Sequence, residues 1–251
     1  VSTKYCYDLI DETKMHEEKF GDVEWKGLKD SINIELLEFK HDSHHLFKDL
    51  TINFPNNKIS VVYGKSGSGK TTLLNIILGL LKPINGSINI DSVNIDKYDF
   101  KSYRKNIGLV SQNSMMFNLS LGDNLRLKNH DISDQILIKY LNDFDLQSIF
   151  PHKTIDLNYE IDESTSNLSG GEKQRLALIR ELVANPDLLI LDEVTNALDN
   201  ITMHKIIKIL ANLKGEMAII IVTHQREYLS IADIAYTIKD GKVEQLNHQK
   251  N

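Results

Sequence analysis

Apolar runs recur along the chain at 59–63, interrupted only by Ser60, at 188–191 and at 217–222, and each is too short for a helix. Runs without polar alternation mark strands covered on both faces, the signature of a parallel sheet. Between them, apolar positions spaced by three and four predict helices over 71–81, 169–184 and 201–213, the first stopped by Pro83 and the second opened by Ser169. Upstream, 34–41 and 46–54 read as a strand pair around the polar turn Asp42-Ser43-His44, with Pro55-Asn56-Asn57 as the next break. A hairpin-like segment at 87–95 and a strand at 106–111 follow. The stretch 121–168 is polar and reads as helical, with 132–144 its clearest amphipathic piece. A last hairpin, 234–246, turns at Asp240-Gly241. The predicted fold is α/β: a mostly parallel sheet, an antiparallel β flank and a helical subdomain at about 113–184 inserted in the core of a domain spanning 31–251. Residues 1–30 are charged and read as a linker or arm.

Composition narrows this picture. With 251 residues, 41% hydrophobic and 25% charged, the chain can build one core or two lobes sharing a hinge. A net charge of −6 argues against nucleic acid as a partner, which demands a basic surface. Cys6 is the single cysteine, so no intrachain disulfide can form, and a reducing compartment fits. No apolar run approaches the roughly 20 residues that span a bilayer. The chain starts at Val1 with no signal-peptide pattern, so it reads as an excised domain, with any membrane-spanning part upstream.

The chemistry concentrates at two strand ends. Gly64-Lys65-Ser66-Gly67-Ser68-Gly69-Lys70-Thr71 fits the pattern G-x-x-x-x-G-K-[ST] and lies between a predicted strand and a predicted helix. Phosphate oxygens must rest against several backbone N–H groups, and a glycine-rich turn feeding a helix N-terminus supplies them. Lys70 is suited to reach β- and γ-phosphates, Thr71 to ligate Mg²⁺, and Thr72 continues the same helical turn. At the tip of 188–192, Asp192 suits the Mg²⁺ shell. Glu193 follows on the other side of an alternating strand and suits a general base. ATP with Mg²⁺ is the expected ligand.

Leu168-Ser169-Gly170-Gly171-Glu172 resembles the signature of the ABC ATPases, and the other motifs of that family occur in its order over nearly the whole chain. Ser169 with Glu172 also fits a capping box. The resemblance implies a phosphate-loop NTPase core and ATP hydrolysis. It implies a second ABC ATPase domain whose Ser169, Gly170 and Gly171 meet the γ-phosphate held by the first. It further implies that Gln112 senses Mg²⁺ and water, that His224 is a switch contacting the γ-phosphate, and that Ala197-Leu198-Asp199 crosses the dimer interface. Three positions depart from the pattern: His41 stands where an adenine-stacking aromatic is usual, Glu172 where Gln is common, and Asn196 where Ser is usual.

Within the family, 112–125 resembles the exporter pattern, with Phe117 and Leu121 matching. The stretch 161–167 resembles the exporter sequence V-G-E-R-G-S-N with Glu163 retained and both glycines lost, and 7–12 resembles the tail of an exporter's last membrane helix. The implied function is the motor of a membrane exporter, at the cytoplasmic face, beside an upstream transmembrane domain. A soluble ABC ATPase acting as an assembly or regulatory clamp shares every motif. A chromosome-type ATPase is disfavoured by the lack of a long heptad insert.

Overall fold

The computed structural model describes residues 21–41, 44–150, 152–162, 168–195 and 198–246, without the side chains of His41 and His44. The strands are β1 (Ser31–His41), β2 (His44–Pro55), β3 (Ile59–Tyr63), β4 (Asn85–Ile90), β5 (Val93–Asn94), β6 (Ile107–Val110), β7 (Leu188–Asp192), β8 (Ala218–Thr223), β9 (Ile234–Lys239) and β10 (Lys242–Leu246). The helices are α1 (Lys70–Ile77), α2 (Phe100–Lys105), α3 (Leu121–Arg126), α4 (Asp134–Asp143), α5 (Gly170–Val183) and α6 (Asn200–Asn212).

Six strands form one sheet in the order β10-β9-β3-β8-β7-β6, parallel throughout except for the β9–β10 hairpin. Its central strands bury both faces. Val61, Leu189, Leu191, Ile219 and Ile221 join the core shared with α5 and α6, whereas Val62, Leu188, Ile190, Ile220 and Val222 join the core shared with α1. Continuous apolar runs are therefore what these strands need. The antiparallel flank is real: β2, β1, β4 and β5 form a second sheet that packs into the α1 core.

Three local findings revise the sequence expectations. Helix α1 ends at Ile77 rather than near Leu81, because Gly79 turns left-handed at φ 67°. There Leu80 N–H reaches Asn75 O and Gly79 N–H reaches Ile76 O, satisfying the last carbonyls. The region 121–168 is less helical than expected: beyond α4 and a short 3₁₀ turn at Gln147–Ile149, the described residues to 162 form no α-helix. It runs back along α3, with Leu121 N–H on Tyr159 O and Ile161 N–H on Leu119 O. The alternating Ile155, Leu157, Tyr159 and Ile161 carry the period-2 signal of such a segment, and all four pack into or against the core. Finally, residues 21–30, expected within the arm, lie on the domain. Trp25 and Leu28 are buried, and the Trp25 ring meets Tyr103 edge-on at 5.1 Å. Residues 1–20 lie outside the described residues.

Among the described residues, no helix is long and apolar enough to cross a membrane.

Candidate active site

The C-terminal ends of β3, β7 and β8 lie side by side in the sheet, so the turns leaving them converge. The turn after β3 feeds α1 through Gly69, which adopts φ 98° and provides no side-chain cap. A Cβ at Gly69 would lie 2.8 Å from the Phe47 ring, so the turn can sit this close to β2 only with glycine there. The first amides of α1, including those of Thr71 and Thr72, therefore receive no side-chain cap from Gly69.

Lys70 is 5% exposed, and its Nζ donates to Gly64 O and Lys65 O, both at 3.0 Å. The same ammonium lies 3.1 Å from Glu193 Oε1. Thr71 Oγ1 donates to Asp192 Oδ2 at 2.9 Å. The two carboxylates diverge as expected, but strand alternation is not the whole cause. Glu193 leaves β7 at φ 51°, with its N–H bound to Val222 O, and this turn directs its side chain to Lys70 and His224. His224 Nδ1 lies 3.5 Å from Glu193 Oε2. Burial pushes the Asp192 carboxyl above the ordinary carboxylate range, reinforced by Glu193 and opposed by the Thr71 hydrogen bond and the Lys70 charge.

These residues fit a polyphosphate and a divalent cation. Among the described residues, Ser68 Oγ and Asp192 Oδ1 are buried without a hydrogen-bond partner, one in the turn and one beside the Thr71 hydroxyl. A carboxylate oxygen next to a hydroxyl is a hard-oxygen donor set of the kind Mg²⁺ takes together with phosphate oxygens.

The remaining predicted residues lie apart from this cluster. Gln112 is exposed after β6. Its backbone carbonyl accepts from Gln174 of α5 at 3.3 Å, and among the described residues its side-chain amide makes no hydrogen bond to Thr71 or Asp192. Ser169 forms the predicted capping box: its hydroxyl accepts from Glu172 N–H at 3.3 Å, and Ser169 N–H donates to Glu172 Oε2 at 2.8 Å. Ser169 and Gly170 are exposed and Gly171 is buried at this helix tip. The side chain of His41, and all of Asn196 and Ala197, lie outside the described residues.

Sequence reasoning missed a groove of about 590 Å³ beside the turn. Exposed Lys65, Ser66 and Gly67 line one side, with His45 and Leu46 of β2 and the Asp240-Gly241 turn opposite. Tyr63 and exposed Arg226 also line it, with the Arg226 guanidinium 5.9 Å from the Tyr63 ring centroid. Only the tertiary fold joins β2, β3 and β9 here.

Comparison with known proteins agrees with this geometry. The family model for the ABC transporter matches residues 47–196. A probable ABC transporter ATP-binding/permease protein of Haemophilus influenzae is 29% identical over 230 residues, covering 90% of this chain and 42% of that protein. The phosphate import ATP-binding protein PstB of Saccharolobus solfataricus is 33% identical over 229 residues, covering 87% of this chain and 88% of that protein. An ATP-bound bacterial Atm1-family ABC exporter superposes with a TM-score of 0.82 at 24% identity, over 98% of this chain and 45% of the exporter, and so shares the fold. This chain thus spans less than half of the Haemophilus relative and of the exporter. With the family model matching more than half of its residues, the chain belongs to the ABC transporter family as one of its ATP-binding ATPase domains.

Proposed function

We propose that this domain hydrolyses MgATP between two copies, or between itself and a related domain, arranged head to tail, and that closing and reopening drive a membrane exporter. The observation that carries the chemistry is the convergence of Lys70, Glu193 and His224 within 3.5 Å contacts at the mouth of the turn. Lys70 would bind β- and γ-phosphate oxygens, and the first amides of α1 would cradle the rest. Asp192, Thr71 and Gln112 would hold Mg²⁺, which neutralises charge developing on the phosphates. Glu193 would take the proton of the attacking water, and His224 would hold the γ-phosphate side in register.

Ser169, Gly170 and Gly171 sit at an exposed helix tip whose own hydrogen bonds are local, which suits completion of a neighbour's site. Contacts to γ-phosphate made only in the closed pair give the differential affinity that a conformational shift requires. The exporter assignment is supported by the resemblance of 112–125 and 161–167 and by the ATP-binding/permease relative. A second reading is favoured by the PstB relative, which this chain matches over most of its length: an ATP-binding subunit serving separate membrane subunits of an importer. The encoded sequence upstream separates the two, since a run of apolar spans in the same reading frame supports the exporter.

The test of the chemistry is Glu193→Gln. Turnover should fall by about 10² to 10⁴, the range for removing a general base, with ATP affinity retained. Turnover at the wild-type rate would refute the role given to Glu193.

A further inference from the structure

His224 is flanked on both sides by a hydrogen-bond chain, buried at Tyr228, Thr195 and Thr223, that none of the roles above uses. Tyr228, in the 3₁₀ turn Arg226–Ser230, is 1% exposed. Its hydroxyl donates to Thr195 Oγ1 at 3.2 Å. Thr195, equally buried, donates onward to Gln225 Oε1. Gln225 N–H in turn donates to the buried Thr223 Oγ1 at 3.0 Å. An amide oxygen can only accept, so Thr195 spends its single proton on Gln225 Oε1 and is left to accept from the Tyr228 hydroxyl.

The placement gives the chain its meaning. Thr223 and Gln225 are the immediate neighbours of His224, and Thr195 lies two residues beyond Glu193. The chain therefore ties the turn leaving β7 to the turn leaving β8, the two segments that bring Glu193 and His224 to 3.5 Å. Filling the core would need only the ring of Tyr228. A phenol buried for packing alone would leave a hydroxyl to desolvate, whereas here it is the first donor of an aligned series. Burial keeps this phenol protonated, with its pKa pushed up to about 12, so the donor persists across the working pH range.

We infer that Tyr228 is a positioning residue for hydrolysis, holding His224 against Glu193 through Thr195 and Gln225. This rests on the roles proposed above for Glu193 and His224. Displacements of an ångström or less at reacting groups are enough to slow chemistry without loosening substrate.

The test is steady-state MgATP hydrolysis by the full chain, with kcat and KM determined separately. The variants are Tyr228→Phe, Thr195→Val, Thr195→Ser, His224→Ala and the double variant His224→Ala/Tyr228→Phe. Removing either hydroxyl, in Tyr228→Phe or Thr195→Val, should lower kcat about tenfold with KM changed less than about twofold, while Thr195→Ser keeps wild-type turnover. Adding Tyr228→Phe to His224→Ala should cost nothing further, because the group being positioned is gone. If His224→Ala is slow but Tyr228→Phe turns over like wild type, or its loss adds in full to that of His224→Ala, the positioning role is overturned and the proposed chemistry stands. If His224→Ala itself turns over at the wild-type rate, both fall together.

Discussion

Replacing Gly69 by alanine strikes the point where the phosphate-binding turn meets the core. At φ 98° a Cβ would sit 2.8 Å from Phe47 Cζ, and Phe47 is fully buried, so its ring has no open space to swing into. The left-handed backbone costs alanine about 1–2 kcal/mol. Forcing a methyl group into a packed core costs about 1–3 kcal/mol more. Stiffening of the unfolded chain offsets about 0.4–1 kcal/mol, leaving a net loss of about 2–4 kcal/mol. Gly67 is the control: it also has positive φ, at 78°, but nothing lies within 4 Å of its added Cβ. Gly67→Ala therefore keeps only the backbone penalty less the offset, about 1 kcal/mol. For a chain of this length each kcal/mol shifts the melting point by roughly 2–4 °C, so Gly69→Ala should melt about 4–16 °C below wild type and Gly67→Ala no more than about 4 °C below. Calorimetric melting of the two variants beside wild type, followed by ATP titration, provides the readout. Gly69→Ala should also lose ATP affinity, since a displaced turn misaims the first amides of α1. Equal melting of the two variants would show that the turn is not anchored on Phe47, and the reasoning would fail.

Two other outcomes follow from the structure. Because burial raises the Asp192 carboxyl, its protonated form stabilises the fold fully below the ordinary carboxylate value, and that support is lost as pH rises through the raised native value. Asp192→Asn should therefore melt higher than wild type at pH 7 without Mg²⁺, by roughly 2–4 °C for ~1 kcal/mol, with the gap closing toward pH 4. The same variant should lose Mg²⁺-dependent stabilisation by ATP; a lower melting point at pH 7 would contradict the strain assigned to this carboxylate. Trp25→Ala should destabilise by about 3–5 kcal/mol in urea unfolding. Trp25→Phe should cost much less, because the indole Nε1 has no hydrogen-bond partner among the described residues, and wild-type stability in Trp25→Ala would detach residues 21–30 from the domain.

The features readable in the sequence were those governed by near neighbours. Strands at 59–63, 188–192 and 218–223 announced themselves because burial on both faces leaves them almost wholly apolar, with Ser60, Asp192 and Thr223 the buried exceptions. The glycine-rich turn into α1 and the Ser169–Glu172 capping box are likewise set by residues within one or two turns of chain. The early end of α1 was missed because the pull of Leu80 and Leu81 toward a helical pattern masked the left-handed turn at Gly79. The burial of Trp25 depends on Tyr103, far along the chain, and no local pattern encodes such a contact. The same holds for the groove built by His45, Tyr63 and Arg226, and for the bond from Tyr228 to Thr195. Gln112 and the Ser169 tip were legible as motifs, yet neither is hydrogen-bonded to the Lys70 cluster within one chain, as befits parts whose proposed roles require bound nucleotide or a second domain.

The central claim is that triphosphate held at Lys70 and Thr71 of one copy is completed by the Ser169 helix tip of another. It is tested most directly in a chain carrying Cys6→Ser, Glu193→Gln, Ser66→Cys and Ser169→Cys, treated with a short thiol-to-thiol cross-linker. The account predicts cross-linked dimers with MgATP, few with ADP, and none when Lys70→Ala is added. Cross-linking that is indifferent to nucleotide, or absent while ATP is demonstrably bound, would contradict it.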